Sequence, residues 1–505
     1  MMTYDELDRN LEDLTKNAAH HQLQTLHSIL QHQASVGYLQ PYLSACHAPV
    51  DAATTFRSQV PLSSYDDYFH LINQLANGDI DHHHPSSPQI LSFVSSTALS
   101  RAASYNAHQG SAAIFRKLVP PRPEVNKILW FLYAGRCYNY KSPREVVFGT
   151  NIEQQMYCHL LCALRSFDII DGIRAALEIA DAAMKESVVE FLGGPQVDLS
   201  RRIREICAES NWGGILSKLW PNVRYVKSVT TGSMKQYYSK LKYYAGDLMI
   251  LGGDYFASEC CLGINLDIQQ PPESTRFVML PTAAYFEFLP FDLNESSVVG
   301  EETVDFSGVK EGKMYEVAVT TYRGLYRYRL GDIVRVVGFH NSSPLVEFVM
   351  RAPKTGYEII TEKDLMSAME SFQHSMAAEV VEFASFSDFE LSPKQLKVFI
   401  EFREGCDFLQ EKLQDQLKLC RGAAPLLRMV WEKFTRCKKD RGEIGPLLVS
   451  VVRSGTLMGY ITMAIKNGAP AGQYKPPKII IRNREIVGFM EESAVLTINL
   501  DSFHG

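Results

Sequence analysis

Between residues 223 and 351 the sequence is a succession of short β-rich runs separated by glycine and proline. Valine, isoleucine and aromatic residues dominate these runs, as in VRYVKSVTTG, RFVMLPTAAYFEFLP and DIVRVVGF. Such residues favour strands, whereas glycine and proline mark the turns between them. The pattern therefore predicts one large mixed sheet at the centre of the chain.

Helical patterns precede this β-rich region. Leu23, Leu26 and Leu30 recur at helical spacing, with Asn10 as the predicted N-cap. Residues 153–194 are apolar and nearly free of helix breakers, and they predict two stacked helices. Helical segments combined with a large sheet indicate an α/β fold.

The β-rich pattern ends at Arg351, and a helical run followed by an alternating run begins soon after it. A chain of 505 residues also exceeds the usual size of one domain. We therefore expect a large N-terminal α/β domain with mixed sheets over residues 1–351. A small, mobile α+β domain is expected over residues 352–505, with a hinge at the boundary.

Composition narrows the possible partners. The net charge of −6 argues against broad electrostatic binding to nucleic acid or to an anionic membrane. No apolar run approaches the roughly 18 residues that span a bilayer, and the acidic N-terminus does not resemble a signal peptide. Ten cysteines in so long a chain fit a reducing compartment. We expect a cytoplasmic protein that binds neither nucleic acid nor a membrane.

No metal site is predicted. His82, His83 and His84 are adjacent and lie in a polar, proline-rich loop, where neighbours rarely converge on one ion. Cys158 and Cys162 share a helical face but have no evident third ligand, so buried thiols are the favoured interpretation.

Asp332 is the first candidate for a binding role. It follows Gly331 at an expected strand boundary, which would expose its carboxylate at the end of a sheet. A carboxylate there can accept two hydroxyl hydrogen bonds, as a ribose offers. The alternative is that Asp332 only ends a turn, with Arg327 and Arg329 as charges on a strand face. The residues alone leave both interpretations open.

Several long segments of the chain are similar to segments of one known protein family. They are LWPNVRYVKSVTTGSMKQY (219–237), GGDYFASECCLGIN (252–265), VMLPTAAYFEFLP (278–290), TTYRGLYRYRLGDIVRVVGFHNSSPLVEFVMR (320–351) and GQYKPPK (472–478). In content and order they resemble the auxin-responsive acyl acid amido synthetases, the Gretchen Hagen family. The resemblance covers nearly the whole chain.

This resemblance implies a two-domain, adenylate-forming ligase. Such an enzyme uses ATP and Mg²⁺ to activate a small-molecule carboxylic acid as an acyl-AMP. It then transfers the acyl group to an amine, usually that of an amino acid. The protein's main tasks would be to position the acid on the α-phosphorus and to neutralise the departing pyrophosphate.

The resemblance also implies roles for individual residues. Asp332 matches the family aspartate that holds the ribose hydroxyls, and Tyr328 matches a tyrosine near the nucleotide. Tyr255 and Ser258 match residues at the floor of the nucleotide and acyl site.

Two further matches imply catalytic roles. Glu259 belongs to the same motif as Tyr255 and Ser258. Lys475 matches a lysine of the C-terminal domain that reaches the phosphates when that domain closes, and the two prolines after it would stiffen its loop.

The phosphate loop departs from the family pattern, which reads like S-S-G-T-S-G-G-K-P-K. Ser95, Ser96 and Thr97 keep their hydroxyls, but the glycines and both lysines are missing, and Arg101 is the only cation. Glycines in such a loop turn backbone N–H groups toward phosphate. Ile359 also stands where relatives carry a lysine. The loop is therefore either a relaxed ATP loop or a relic.

Two functions follow from this ambiguity. The first is an ATP-dependent ligase that forms an amide from a small apolar acid and an amine. The second is a repurposed member that keeps the acyl pocket but no longer adenylates, for example a cyclase, an isomerase or a binding protein for an apolar natural product.

Overall fold

The fold is taken from a computed structural model. It describes residues 4–33, 36–43, 52–77, 197–209, 211–221, 223–257, 259–292, 297–298, 302–352, 362–376, 380–388, 391, 395–402, 447–457, 459–460, 463, 478–480 and 484–500. The described residues up to Ala352 belong to one compact unit, and those from Glu362 onward belong to a second.

Ten α-helices and fifteen strands are described. The helices of the first unit are α1 Tyr4–Lys16, α2 Ala18–His32, α3 Gln40–Leu43, α4 Ala52–Gln59, α5 Tyr65–Asn77, α6 Val197–Ala208, α7 Ile215–Leu219 and α8 Tyr238–Ala245. Its strands are β1 Tyr225–Ser228, β2 Met249–Gly252, β3 Tyr255–Phe256, β4 Cys261–Ile264, β5 Phe277–Met279, β6 Tyr285–Asp292, β7 Ser297–Val298, β8 Met314–Thr320, β9 Tyr328–His340 and β10 Ser343–Arg351. The second unit contains α9 Glu362–Met376, β11 Val380–Asp388, β12 Gln395–Phe402, β13 Leu447–Val452, β14 Ile479–Ile480, α10 Arg484–Glu492 and β15 Ala494–Leu500.

The first unit is organised by an eight-stranded sheet in the order β3-β4-β5-β10-β9-β8-β6-β7. Every described pairing in it is antiparallel. The predicted β-rich runs all contain strands, but the prediction that they share one mixed sheet is wrong. The run VRYVKSVTTG contains β1, and the run after it, GDLMILGGDY (246–255), contains β2. These two strands pair in parallel as a separate two-stranded sheet. Run composition identifies strands, whereas partner choice depends on contacts distant in sequence.

The N-terminal helices pack on this large sheet. Leu26 and Ile29 of α2 and Phe56 of α4 are buried in one cluster with Tyr285 of β6. Leu23 is 51% exposed, so the buried stripe differs from the predicted one. The predicted N-cap is also wrong, because Asn10 lies inside α1 and the helical break falls at Asn17.

The second unit has a mixed five-stranded sheet in the order β14-β11-β12-β13-β15. Alternate residues of its strands face opposite sides. One face packs against α9 through Leu365 and Phe372, and the other packs against α10 through Val487 and Met490. Helices and sheets together confirm the predicted α/β class. Within the described ranges, no helix has the length and apolar character needed to cross a bilayer.

Candidate functional site

Asp332 lies inside β9 rather than at its boundary, and its side chain is buried. The prediction of an exposed strand-end carboxylate is therefore wrong. Gly331 takes φ +70°, a conformation that glycine adopts without steric cost, and its carbonyl oxygen accepts a hydrogen bond from the Ala352 amide (2.7 Å). The strand thus continues past Asp332, which pairs with Arg351 in register.

Two side chains meet the Asp332 carboxylate. The Tyr255 hydroxyl donates to Oδ2 over 2.7 Å. Arg351 Nη1 lies 2.7 Å from Oδ1 and donates to the Leu330 carbonyl oxygen over 2.9 Å. Each carboxylate oxygen has two lone pairs, and such oxygens are acceptors for hydroxyl groups.

Tyr255 is fixed as a hydrogen-bond donor. Burial, and then the charge of Asp332, raises the pKa of the Tyr255 hydroxyl well above its ordinary value. The hydroxyl therefore keeps its proton at neutral pH. Its ring also packs against Phe277 and Phe348, with centroids 5.2 and 6.0 Å away. Asp332 is consequently held by a tyrosine with little freedom to turn.

Tyr328 packs against the same hydrophobic cluster as Tyr255, and Glu259 acts on Tyr328 through its charge. Burial raises the pKa of Tyr328, the charge of Glu259 raises it further, and the charge of Arg351 opposes both. Burial likewise raises the pKa of the Cys260 thiol, reinforced by Glu259. A protonated, buried thiol is a poor nucleophile, so Cys260 does not qualify as a covalent catalyst.

Four of the predicted site residues are described. Tyr255 donates to Asp332 and shares a hydrophobic cluster with Tyr328, and Glu259 acts on Tyr328 through its charge. The other six lie outside the described residues and keep the status of predictions: Ser95, Ser96, Thr97, Arg101, Ser258 and Lys475. The helical segment predicted at 153–194 also lies outside the described residues.

The two arginines beside this cluster are not simple strand-face charges. Arg327 is buried and paired with Glu287, and Arg329 pairs with the buried Glu316. The alternative interpretation of the sequence is therefore wrong for Arg327, which precedes β9 and holds structure together.

Arg351 is the site residue that sequence reasoning missed. Its only signal in the sequence is its position as the last residue of the β-rich region, which predicts a domain boundary. An exposed guanidinium beside a carboxylate can also bind an anionic ligand.

The described residues contain no cluster of three or more metal-ligating side chains. Glu259 and Asp332 both act on the Cys260 thiol through their charges, and two carboxylates are fewer than a protein-built cage requires. Magnesium commonly binds through one or two carboxylates together with substrate phosphates. The site therefore fits Mg²⁺ only as an ion that arrives with a nucleotide.

Comparison with known proteins places these features in a family. The N-terminal domain of the GH3 family matches residues 8–139 and 168–250, the central domain matches 277–351, and the C-terminal domain matches 363–485. Together these matches take in most of the chain.

Individual relatives agree with this assignment. The chain is 30% identical to the 4-substituted benzoates-glutamate ligase GH3.12 of Arabidopsis thaliana, covering 94% of this chain and 95% of the relative. It is 42% identical over 380 residues to the probable indole-3-acetic acid-amido synthetase GH3.6 of Oryza sativa subsp. japonica, covering 67% and 77%. The solved structure of GH3.15 acyl acid amido synthetase superposes with a TM-score of 0.74 at 23% identity, covering 99% and 98%. This last likeness supports the fold.

Proposed function

This chain belongs to the GH3 family of acyl acid amido synthetases, and from that membership we propose that it is an ATP-dependent ligase. Its substrates would be a small apolar carboxylic acid and an amine, such as that of an amino acid. The observation that carries the proposal in this chain is the buried Asp332 carboxylate, oriented by Tyr255 and Arg351.

The proposed reaction has two steps. A carboxylate oxygen of the acid bonds to the α-phosphorus of ATP, and pyrophosphate leaves. The amine nitrogen then attacks the activated carbonyl carbon, loses a proton and displaces AMP, so that an amide forms. ATP supplies the leaving group that a free carboxylate lacks, and Mg²⁺ would offset phosphate charge.

The residues of the cluster would divide the work of binding. Asp332 would accept the ribose hydroxyls, and Tyr255 would hold Asp332 in place. Arg351 would direct positive charge at the phosphates, with Tyr328 beside the nucleotide. Positioning of this kind is the main source of rate in phosphoryl and adenylyl transfer.

The roles of Glu259 and Lys475 also belong to the proposal. The charge of Glu259 acts on Tyr328, and Glu259 would face the reacting groups. Lys475 would approach the phosphates from the C-terminal domain, and movement of residues 352–505 would bring it there. Ser95, Ser96, Thr97, Arg101 and Ser258 would complete the nucleotide site.

The repurposed function is the less favoured candidate. The Asp332 carboxylate, oriented by Tyr255 and Arg351, gives the nucleotide a candidate binding group and favours the ligase, even with a phosphate loop that lacks glycines.

We propose the acid substrate only as a chemical class. Relatives at comparable identity carry different names: one is a 4-substituted benzoates-glutamate ligase, another an indole-3-acetic acid-amido synthetase, and another a jasmonoyl–L-amino acid synthetase. Since the acid varies at about the same level of identity, family membership supports only a small, largely apolar acid.

The deciding experiment measures amide formation with a panel of such acids and the proteinogenic amino acids. Product should require ATP and should appear with equal amounts of AMP and pyrophosphate. A matched reaction with ATP omitted is the control. Product formed at full rate without ATP would overturn the ligase proposal in favour of the repurposed one.

A further inference from the structure

The backbone immediately before Tyr328 has an unusual conformation. Arg327 takes φ 47°, and Asn341 is the only other non-glycine residue with positive φ among the described residues. L-residues other than Asn and Asp seldom adopt this conformation, because Cβ crowds the backbone. Strained backbone of this kind persists only where surrounding contacts impose it, and it is frequent at functional sites.

The connection between α4 and α5 imposes part of it. The Ser63 amide donates to the Arg327 carbonyl oxygen (3.0 Å), and the Arg329 amide donates to the Ser63 carbonyl oxygen (2.9 Å). The Ser63 hydroxyl donates to the Tyr326 carbonyl oxygen over 2.7 Å. Ser63 therefore pairs with Tyr328 as a one-residue parallel strand.

Tyr68, on α5, completes the support. Its hydroxyl oxygen accepts a hydrogen bond from the Tyr326 amide (3.0 Å) and lies 3.1 Å from the Ser63 hydroxyl. One side of its ring meets Tyr328 edge-on, with centroids 6.0 Å apart, and it stacks on Tyr38 at 4.9 Å. Tyr68 is 1% exposed, so water does not replace these contacts.

We propose that Tyr68 is a positioning residue for the nucleotide site, acting through residues 326–328 on the side chain of Tyr328. The inference rests on the proposed function, because it takes Tyr328 to lie against the nucleotide. Without the Tyr68 hydroxyl, the buried Tyr326 amide loses its acceptor. We then expect the strained backbone at Arg327 to relax and the Tyr328 side chain to move with it.

The test compares two variants that each remove one buried hydroxyl. Tyr68→Phe keeps the ring and deletes the contact to Tyr326. Tyr315→Phe is the matched control, because the Tyr315 hydroxyl accepts from the Lys310 amide (3.0 Å) and Tyr315 is 4% exposed. Both variants should lose similar stability in urea. Only Tyr68→Phe should weaken ATP binding by calorimetry, by about fivefold or more.

A double-mutant cycle tests the route through Tyr328. If Tyr68 acts on the nucleotide through Tyr328, Tyr68→Phe should have little further effect on ATP affinity in a Tyr328→Ala background. Equal effects in both backgrounds, or equal effects of Tyr68→Phe and Tyr315→Phe, would overturn the inference alone. Absence of ATP binding by the unaltered protein would instead overturn the proposed function on which it rests.

Discussion

Two arginine–carboxylate pairs lie five residues apart at the start of β9, and they are built differently. In the first, the side chains of Arg327 and Glu287 are 7% and 0% exposed. Arg327 Nε and Nη2 donate to the Glu287 carboxylate, and Nη1 donates to the carbonyl oxygens of Arg57 and Val60. Thr303 adds its hydroxyl to the same carboxylate over 2.5 Å.

The second pair joins Asp332 to Arg351. The carboxylate is again buried, but the Arg351 side chain is 62% exposed. Among the described residues, hydrogen-bond and ion-pair partners of the Arg351 guanidinium are found only at Nη1. The Tyr255 hydroxyl also donates to this carboxylate.

The difference separates a pair enclosed by hydrogen bonds from a pair whose arginine is open to solvent. A buried ion pair offsets its desolvation cost only when hydrogen bonds satisfy nearly all its groups, as around Arg327. A pair that is open on one side gains little stability, because water competes for the exposed cation. An exposed guanidinium of this kind can also bind an anionic ligand such as a phosphate. The following changes test this distinction, in order of expected effect.

The largest effect is expected at the closed pair. Arg327→Met would leave the buried Glu287 charge with only the Thr303 hydroxyl, and should reduce the free energy of unfolding by about 3–5 kcal/mol. Urea unfolding measures it. Arg351→Met is the control for the open pair and should cost about 1 kcal/mol or less. Equal losses at the two pairs would remove the distinction between them.

A smaller effect, on a different quantity, is expected at the open pair. Asp332→Asn keeps an acceptor for Tyr255 but removes the charge that the ribose hydroxyls would meet, and should weaken ATP binding by about 2–3 kcal/mol. Its cost in stability should be near 1 kcal/mol, since Arg351 can turn to water. Calorimetric titration with ATP measures the first quantity.

The control for this change is Glu316→Gln. Glu316 is also buried and is also paired with a partly exposed arginine, Arg329. It should lose similar stability while ATP affinity is unchanged. Weakened ATP binding in both variants would mean that the effect comes from the sheet and not from Asp332.

The contrast between local patterns and contacts distant in sequence explains how far the sequence could predict the fold. The strand content of the β-rich runs and the helix at Glu362–Met376 follow from local composition and periodicity, and both are found. The order of the strands does not follow, because β5 pairs with β10 across a long stretch of chain. Asn10 was mistaken for a cap because capping residues also occur inside charged, exposed helices such as α1.

Sequence reasoning could propose candidate site residues where they share one motif. Tyr328 and Asp332 are both in YRLGD, and the family resemblance predicts a role for each. The burial of Asp332 was not predictable, because it depends on Tyr255, which is 77 residues away, and on Arg351 across the strand pair. The support from Tyr68 was missed for the same reason, since its partner Tyr326 is 258 residues distant.

The smallest effect is expected at the tyrosine that orients the open pair. Tyr255→Phe removes the 2.7 Å hydrogen bond to Asp332 Oδ2 and leaves the ring in contact with Phe277 and Phe348. The carboxylate keeps Arg351 and its charge, so the loss in ATP affinity should be about 1 kcal/mol, below that of Asp332→Asn.

Calorimetry at pH 7 and at pH 9 provides the measurement. Because the pKa of Tyr255 is raised, its hydroxyl stays protonated at both values, and the difference between the variant and the unaltered protein should be the same at each. A difference that disappears by pH 9 would mean that the hydroxyl ionises early and does not hold Asp332 as the structure indicates.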